Sequence, residues 1–133
     1  MKIYFAGSIQ AGRQDAHIYV KIVEFLRERG TVLTEHVADV AQDDMKTLTP
    51  KQIFDRDVAW LTESDVVVGE VTVPSLGVGY EVGIAEKLRK KVVLMHRKGS
   101  DKRLSPMLSG NPHYKIIEYE DIEDGLKRLE KEL

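Results

Sequence analysis

Short apolar, β-branched runs recur along this chain, and most are followed by a stretch in which apolar residues return every three or four positions. Lys2 to Ala6 is closed by Gly7 and Ser8, and Ile18, Ile22, Phe25 and Leu26 then repeat at helical spacing. Gly30 stops that helix, and Thr31 to Thr34 reads as a second strand reached by a right-handed crossover. Thr49 and Pro50 mark the start of a helix running to about Thr62, with Ile53, Phe54, Val58 and Leu61 as its buried face. Asp65 to Val71 is a strand of the kind covered on both faces, 74 to 79 a loop, and Tyr80 to Arg89 a helix with Val82, Ile84, Ala85 and Leu88 inward. Lys91 to Met95 is the next strand, a short helix lies near Leu104 to Leu108, and strand Tyr114 to Tyr119 and helix Ile122 to Leu133 close the pattern. Five strands alternating with helices predict a doubly wound, five-stranded parallel sheet in a three-layer α/β sandwich, of flavodoxin-like or Rossmann-like topology.

Composition narrows the function classes. The 133 residues fit a single domain spanning 1–133, and 42% hydrophobic with 32% charged residues is the balance of a folded chain. Twenty Lys and Arg against 22 Asp and Glu leave a net charge of −2, so no basic field exists to hold a nucleic acid. The chain has no cysteine, which removes disulfides, thiolate metal sites and cysteine nucleophiles together. No apolar run approaches the ~20 residues of a membrane span, so neither membrane nor nucleic acid is an expected partner and a cytoplasmic location is the expectation.

In a doubly wound sheet, ligands bind beyond the carboxyl ends of the strands, which directs attention to Gly7-Ser8, Glu35-His36, the stretch from Glu70 to Glu81, and Arg97. Gly7 and Gly12 have no glycine between them, so the dinucleotide fingerprint is not met. The first loop reads either as a tight turn that needs Gly7 or as a cradle in which backbone N–H groups and the Ser8 hydroxyl hold one phosphate. Glu81 falls in the first turns of a helix starting near Tyr80, where the positive end of the backbone dipole favours an ionised carboxylate suited to a cationic, oxocarbenium-like transition state. Acidic residues there also serve stability alone. Asp57 sits mid-helix, where aspartate has poor propensity; it reads as an ion-pair partner of Arg56 or Lys51, or as a second carboxylate converging with Glu81. Tyr4, near the end of the first strand, reads on its own as a core residue. His36 reads as lining the site, and no histidine has metal-ligand spacing.

Tyr4-Phe5-Ala6-Gly7-Ser8-Ile9, Gly12-Arg13, Thr31 to Val37, Asp57 with Trp60-Leu61, and above all Pro74 to Glu81 resemble the nucleoside 2-deoxyribosyltransferase superfamily and, within it, the 2′-deoxynucleoside 5′-phosphate N-hydrolases. The resemblance covers nearly the whole chain. It implies hydrolysis of the N-glycosidic bond of a 2′-deoxynucleoside 5′-monophosphate through a covalent glycosyl-enzyme, with no metal or organic cofactor. By position, Glu81 is similar to the nucleophile, Asp57 to the acid/base partner and Tyr4 to the tyrosine that positions nucleophile and sugar. Ser8, Ser75 and Gly77 resemble the phosphate cradle, with Gly7, Ile9, Gly12, Arg13 and His36 lining the substrate. Ser105, with Met107 nearby, resembles the segment that a second subunit inserts into the site, which implies a homodimer. Gln10 and Ala11 replace an arginine and a glycine of the animal-type pattern, and this bears on base preference. The competing readings are a nucleoside 2-deoxyribosyltransferase, a ribonucleotide (CMP-type) N-hydrolase, and a nucleotide-binding module without turnover.

Overall fold

The computed structural model describes residues 1–9, 15–39 and 44–133. Strands β1 (Lys2–Gly7), β2 (Thr31–Val32), β3 (Val66–Glu70), β4 (Lys91–Arg97) and β5 (Tyr114–Tyr119) form one parallel sheet in the order β2-β1-β3-β4-β5. This is the flavodoxin-like order, and the sense in which successive strands are added to the sheet reverses between β1 and β3. Ile3, Phe5, Val66, Val68, Val93 and Met95 pack under α1 (Ala16–Arg27) and α6 (Ile122–Glu130). Tyr4, Ala6, Val67, Val92 and Leu94 point the other way, against α3 (Pro50–Glu63) and α4 (Leu76–Lys87). The strict alternation of faces along each strand explains why both sets are apolar: the sheet has no solvent side.

Local chemistry sets the helix starts. Thr49 caps α3 through a reciprocal pair, Gln52 N–H donating to Thr49 Oγ1 at 3.1 Å and Thr49 N–H to Gln52 Oε1 at 2.9 Å, with Pro50 in the first turn. A cap of this kind contributes about 1 kcal/mol. Ser75 caps α4, its hydroxyl accepting the N–H of Val78 at 3.3 Å.

That cap corrects one expectation. The stretch read as a loop to Gly79 is helical from Leu76, because Ser75 satisfies a first-turn amide and the glycines at 77 and 79 do not break the turn. Three smaller corrections accompany it. Strand β2 ends at Val32, and a 3-10 turn over Glu35–Ala38 follows it; β4 runs on to Arg97; and a short helix α2 (Asp44–Thr47) lies within the polar stretch before Thr49. The apolar face of α3 is also only partly covered, with Leu61 buried but Phe54 half exposed, and on α4 Val82 and Ala85 are inside while Leu88, just past its end, is 40% exposed. The short helix α5 (Pro106–Ser109) starts two residues later than its apolar spacing suggests, after a cap by Ser105.

Candidate active site

Three elements meet beside the β1/β3 reversal. Tyr4 projects from β1 and is 2% exposed, Asp57 comes from the second half of α3, and Glu81 from α4. Asp57 and Glu81 line one cavity of about 330 Å³ between α3 and α4, together with Ile53, Val58, Leu61, Gly77 and Tyr80. The Tyr4 hydroxyl stands within hydrogen-bonding reach of the Glu81 carboxylate, and Asp57 lies close enough to act on both electrostatically. The walls are apolar, so the few polar groups face one another in a poorly solvated space.

The charge state of Glu81 differs from the expectation. Counting from the Ser75 cap, Glu81 is the sixth helical residue, beyond the turn in which the helix dipole acts. Burial, reinforced by the negative charge of Asp57, pushes its carboxyl up to about 7, against the lowering effect of the Tyr4 hydrogen bond. Near neutral pH it is therefore poised between acid and anion. Burial raises the Tyr4 hydroxyl as well, Glu81 and Asp57 adding to the effect, so Tyr4 remains a protonated donor.

Asp57 is ion-paired with Arg56, Nε to Oδ1 at 3.0 Å. Both alternatives read from the sequence thus hold at once: Asp57 has its arginine and also faces Glu81. The Arg56 guanidinium lies over the Trp60 ring at 4.8 Å and its NH2 group is 3.3 Å from Nε2 of His36, whose ring is 5.6 Å from that of Trp60. His36 is thereby connected to the carboxylate pair through Arg56. Sequence reasoning named Arg56 only as a salt-bridge partner; the signal for more was its position next to Asp57 and one turn before Trp60.

The remaining predicted residues fall in two places. Gly7 and Ser8 stand at the tip of β1, and a Cβ at Gly7 would stand 3.0 Å from the Tyr19 ring, so any larger residue there would have to push that ring aside. Ser8 is buried, and its N–H donates to the Tyr19 hydroxyl at 3.0 Å. That amide, expected to face a phosphate, is already engaged. Ile9 is 63% exposed at the same tip, and Gly12 and Arg13 lie outside the described residues. Ser105 and Met107 do not share the cavity of Glu81; with Ser75, Gly79, Tyr80 and Arg103 they line a second cleft of about 630 Å³. Gly77 belongs to the first cavity, Ser75 to the second, and Tyr80 is the wall between them. Among the described residues no group of His, Asp or Glu side chains is arranged to hold a metal ion, and no helix is long and apolar enough to cross a membrane.

Comparison with known proteins shows the family and the fold. A protein of Tetraodon nigroviridis named 5-hydroxymethyl-dUMP N-hydrolase is 51% identical over 113 residues, covering 83% of this chain and 80% of its own. One of the same name from Danio rerio is 48% identical over 128 residues, covering 92% and 90%. In fold, the chain is similar over its full length to the Clostridium botulinum CMP N-glycosidase BcmB, with a TM-score of 0.71 at 20% identity and all of that chain covered. The family model described as nucleoside 2-deoxyribosyltransferase matches residues 3–116, and with relatives this similar the chain belongs to that family.

Proposed function

We propose that this protein is a 2′-deoxynucleoside 5′-monophosphate N-hydrolase, releasing free base and 2-deoxyribose 5-phosphate. The observation that carries the reading is the convergence of Tyr4, Asp57 and Glu81 beside the reversal point of the sheet, in a chain whose relatives bear N-hydrolase names. Ionised Glu81 attacks the anomeric carbon as the bond to the base breaks, and its charge stabilises the oxocarbenium character that a sugar without a 2′-hydroxyl develops readily. Asp57 carries the proton exchanged with the departing base and then with water, which cleaves the glycosyl ester and returns Glu81. Tyr4 holds the Glu81 carboxylate in line through its hydrogen bond.

Ser8 and Ser75, with Gly77, form the phosphate side, and His36 with Ile9 the mouth. The working form is a cytoplasmic homodimer in which Ser105 and Met107 of one subunit reach the other's site. Support for pairing is an apolar face that the single chain leaves open: Leu76 is 96% exposed and Met107 80%. Phe54 and Tyr80 lie 6.4 Å apart beside them, and Gly79 and Gly83 have open space where side chains would stand.

The test is base release from 5-hydroxymethyl-dUMP, dGMP, dCMP, CMP and deoxyguanosine, followed by chromatography beside Glu81→Gln. Release from deoxynucleotides, at least about a thousandfold slower in the variant and weak from the nucleoside, is the expected outcome. Release from CMP alone would contradict the substrate class, and transfer to an added base in preference to water would contradict hydrolysis.

A further inference from the structure

Glu70 closes an otherwise apolar strand and is 1% exposed, yet it faces the α1/α6 layer, away from Tyr4 and Glu81. Its partners are unusual in number. One carboxylate oxygen accepts the Tyr119 hydroxyl and the other the N–H of Thr72 at 2.6 Å. Thr72 Oγ1 in turn accepts the N–H of Arg97 at 2.9 Å, and the Arg97 guanidinium donates to Asp15, itself buried, at 2.7 Å. Gly7 is the residue paired with Glu70 across β1 and β3, and Tyr19, whose ring packs on Gly7, accepts the Ser8 N–H at its hydroxyl. One cluster therefore joins the tips of β1, β3, β4 and β5 and the start of α1. A carboxylate is costly to bury, and an apolar side chain of similar size would fill the same space without that cost. What the carboxylate adds is fixed distance: Tyr119 and Thr72 each have one place to bond.

We infer that Glu70 is a positioning residue for the substrate's phosphate. Through Thr72, Tyr119 and the Arg97–Asp15 pair it sets the spacing between the Gly7-Ser8 tip and the 72–75 segment, the two arms of the phosphate cradle. The inference rests on the cradle proposed above. Loss of Glu70 leaves the Thr72 amide and the Tyr119 hydroxyl without their acceptor, so the two arms drift apart while Tyr4, Asp57 and Glu81, on the other face of the sheet, stay in place.

The experiment is steady-state hydrolysis of a deoxynucleoside 5′-monophosphate by the wild type, Glu70→Ala and Glu70→Gln, with inorganic phosphate as competitive inhibitor and folded fraction followed by near-ultraviolet circular dichroism. Glu70→Ala is expected to raise KM and the phosphate inhibition constant together by about tenfold with kcat within about threefold. Glu70→Gln, which keeps an acceptor for the Thr72 amide, is expected to restore most of both. If Glu70→Ala does not fold, Tyr119→Phe is expected to shift the same two constants in the same direction. A fall in kcat in proportion to lost folded protein, with KM and phosphate inhibition unchanged, would overturn the inference and leave the cradle standing. A wild type that handles phosphorylated and unphosphorylated nucleosides with equal KM would overturn the cradle itself, and Glu70's assigned role with it.

Discussion

At the scale of single residues, the site is a carboxylate pair whose members sit in unlike surroundings. Glu81 has Tyr4, apolar walls and the negative charge of Asp57 but no cationic partner among the described residues, whereas Asp57 has Arg56 at 3.0 Å. The ordinary carboxyl value is 4.5 and that of Glu81 is about 7, so between these pH values the folded protein holds a proton that the unfolded chain has released. Folding stability due to Glu81 is therefore greatest below about 4.5 and is lost as pH rises towards 7, while kcat/KM rises through the same upper value as the nucleophile ionises. Asp57→Asn removes the nearby negative charge, and the titration midpoint of Glu81, followed by carbon NMR of its carboxyl, is expected to fall below 7 yet stay above the ordinary value because burial remains. An unchanged midpoint would show that the charge of Asp57 does not reach Glu81. Both carboxylates were legible as candidates, from a mid-helix aspartate and from a glutamate after a glycine-rich turn. The protonation of Glu81 was not, since burial depends on how α3 lies against α4, which no local pattern specifies.

At the scale of elements, one cap was readable and faces were not. Thr49-Pro50 announces α3, while nothing in the local pattern announces that Ser75 caps α4, with the glycines inside the helix. Helical spacing marks residues that avoid water but says nothing of what covers them, so Phe54 was placed in the core although it is half exposed. Glu70 is marked by the sequence only as the start of the strand-end stretch and is given no role there, because a single charge in an apolar strand carries no periodic signal; its partner Tyr119 comes from β5. The open face of α4 belongs to this scale as well. Leu76→Arg alters a side chain that touches almost nothing in the single chain, so melting of the isolated fold is expected to change by less than about 0.5 kcal/mol. In sedimentation velocity the wild type is expected to run as a dimer and the variant as a monomer. A wild type that remains monomeric at micromolar concentration would contradict the paired form.

At the scale of the whole molecule, the strand order is what makes the site. Alternating apolar runs are enough to give five parallel strands with helices on both faces, and the carboxyl-edge rule directs attention to the stretch that ends at Glu81, whereas Tyr4 lies within β1 and Asp57 within α3. The order β2-β1-β3-β4-β5 adds the decisive detail, opening a crevice between β1 and β3 where Tyr4 of one strand meets Asp57 and Glu81 from the two helices above the same face. The cluster around Glu70 lies beneath that crevice on the opposite face, so the proposed catalytic groups and the proposed phosphate-positioning residue stand on the two sides of one sheet. The central claim is that Glu81 becomes covalently bonded to the sugar during turnover. It is tested most directly by acid-quenching the working enzyme within milliseconds of mixing with a deoxynucleoside 5′-monophosphate and mapping the protein by peptide mass spectrometry. The expected result is a 2-deoxyribosyl 5-phosphate ester on the peptide containing Glu81, formed at the rate of base release and absent from Glu81→Gln. Full base release with no adduct at Glu81, or with an adduct on another residue, would contradict it.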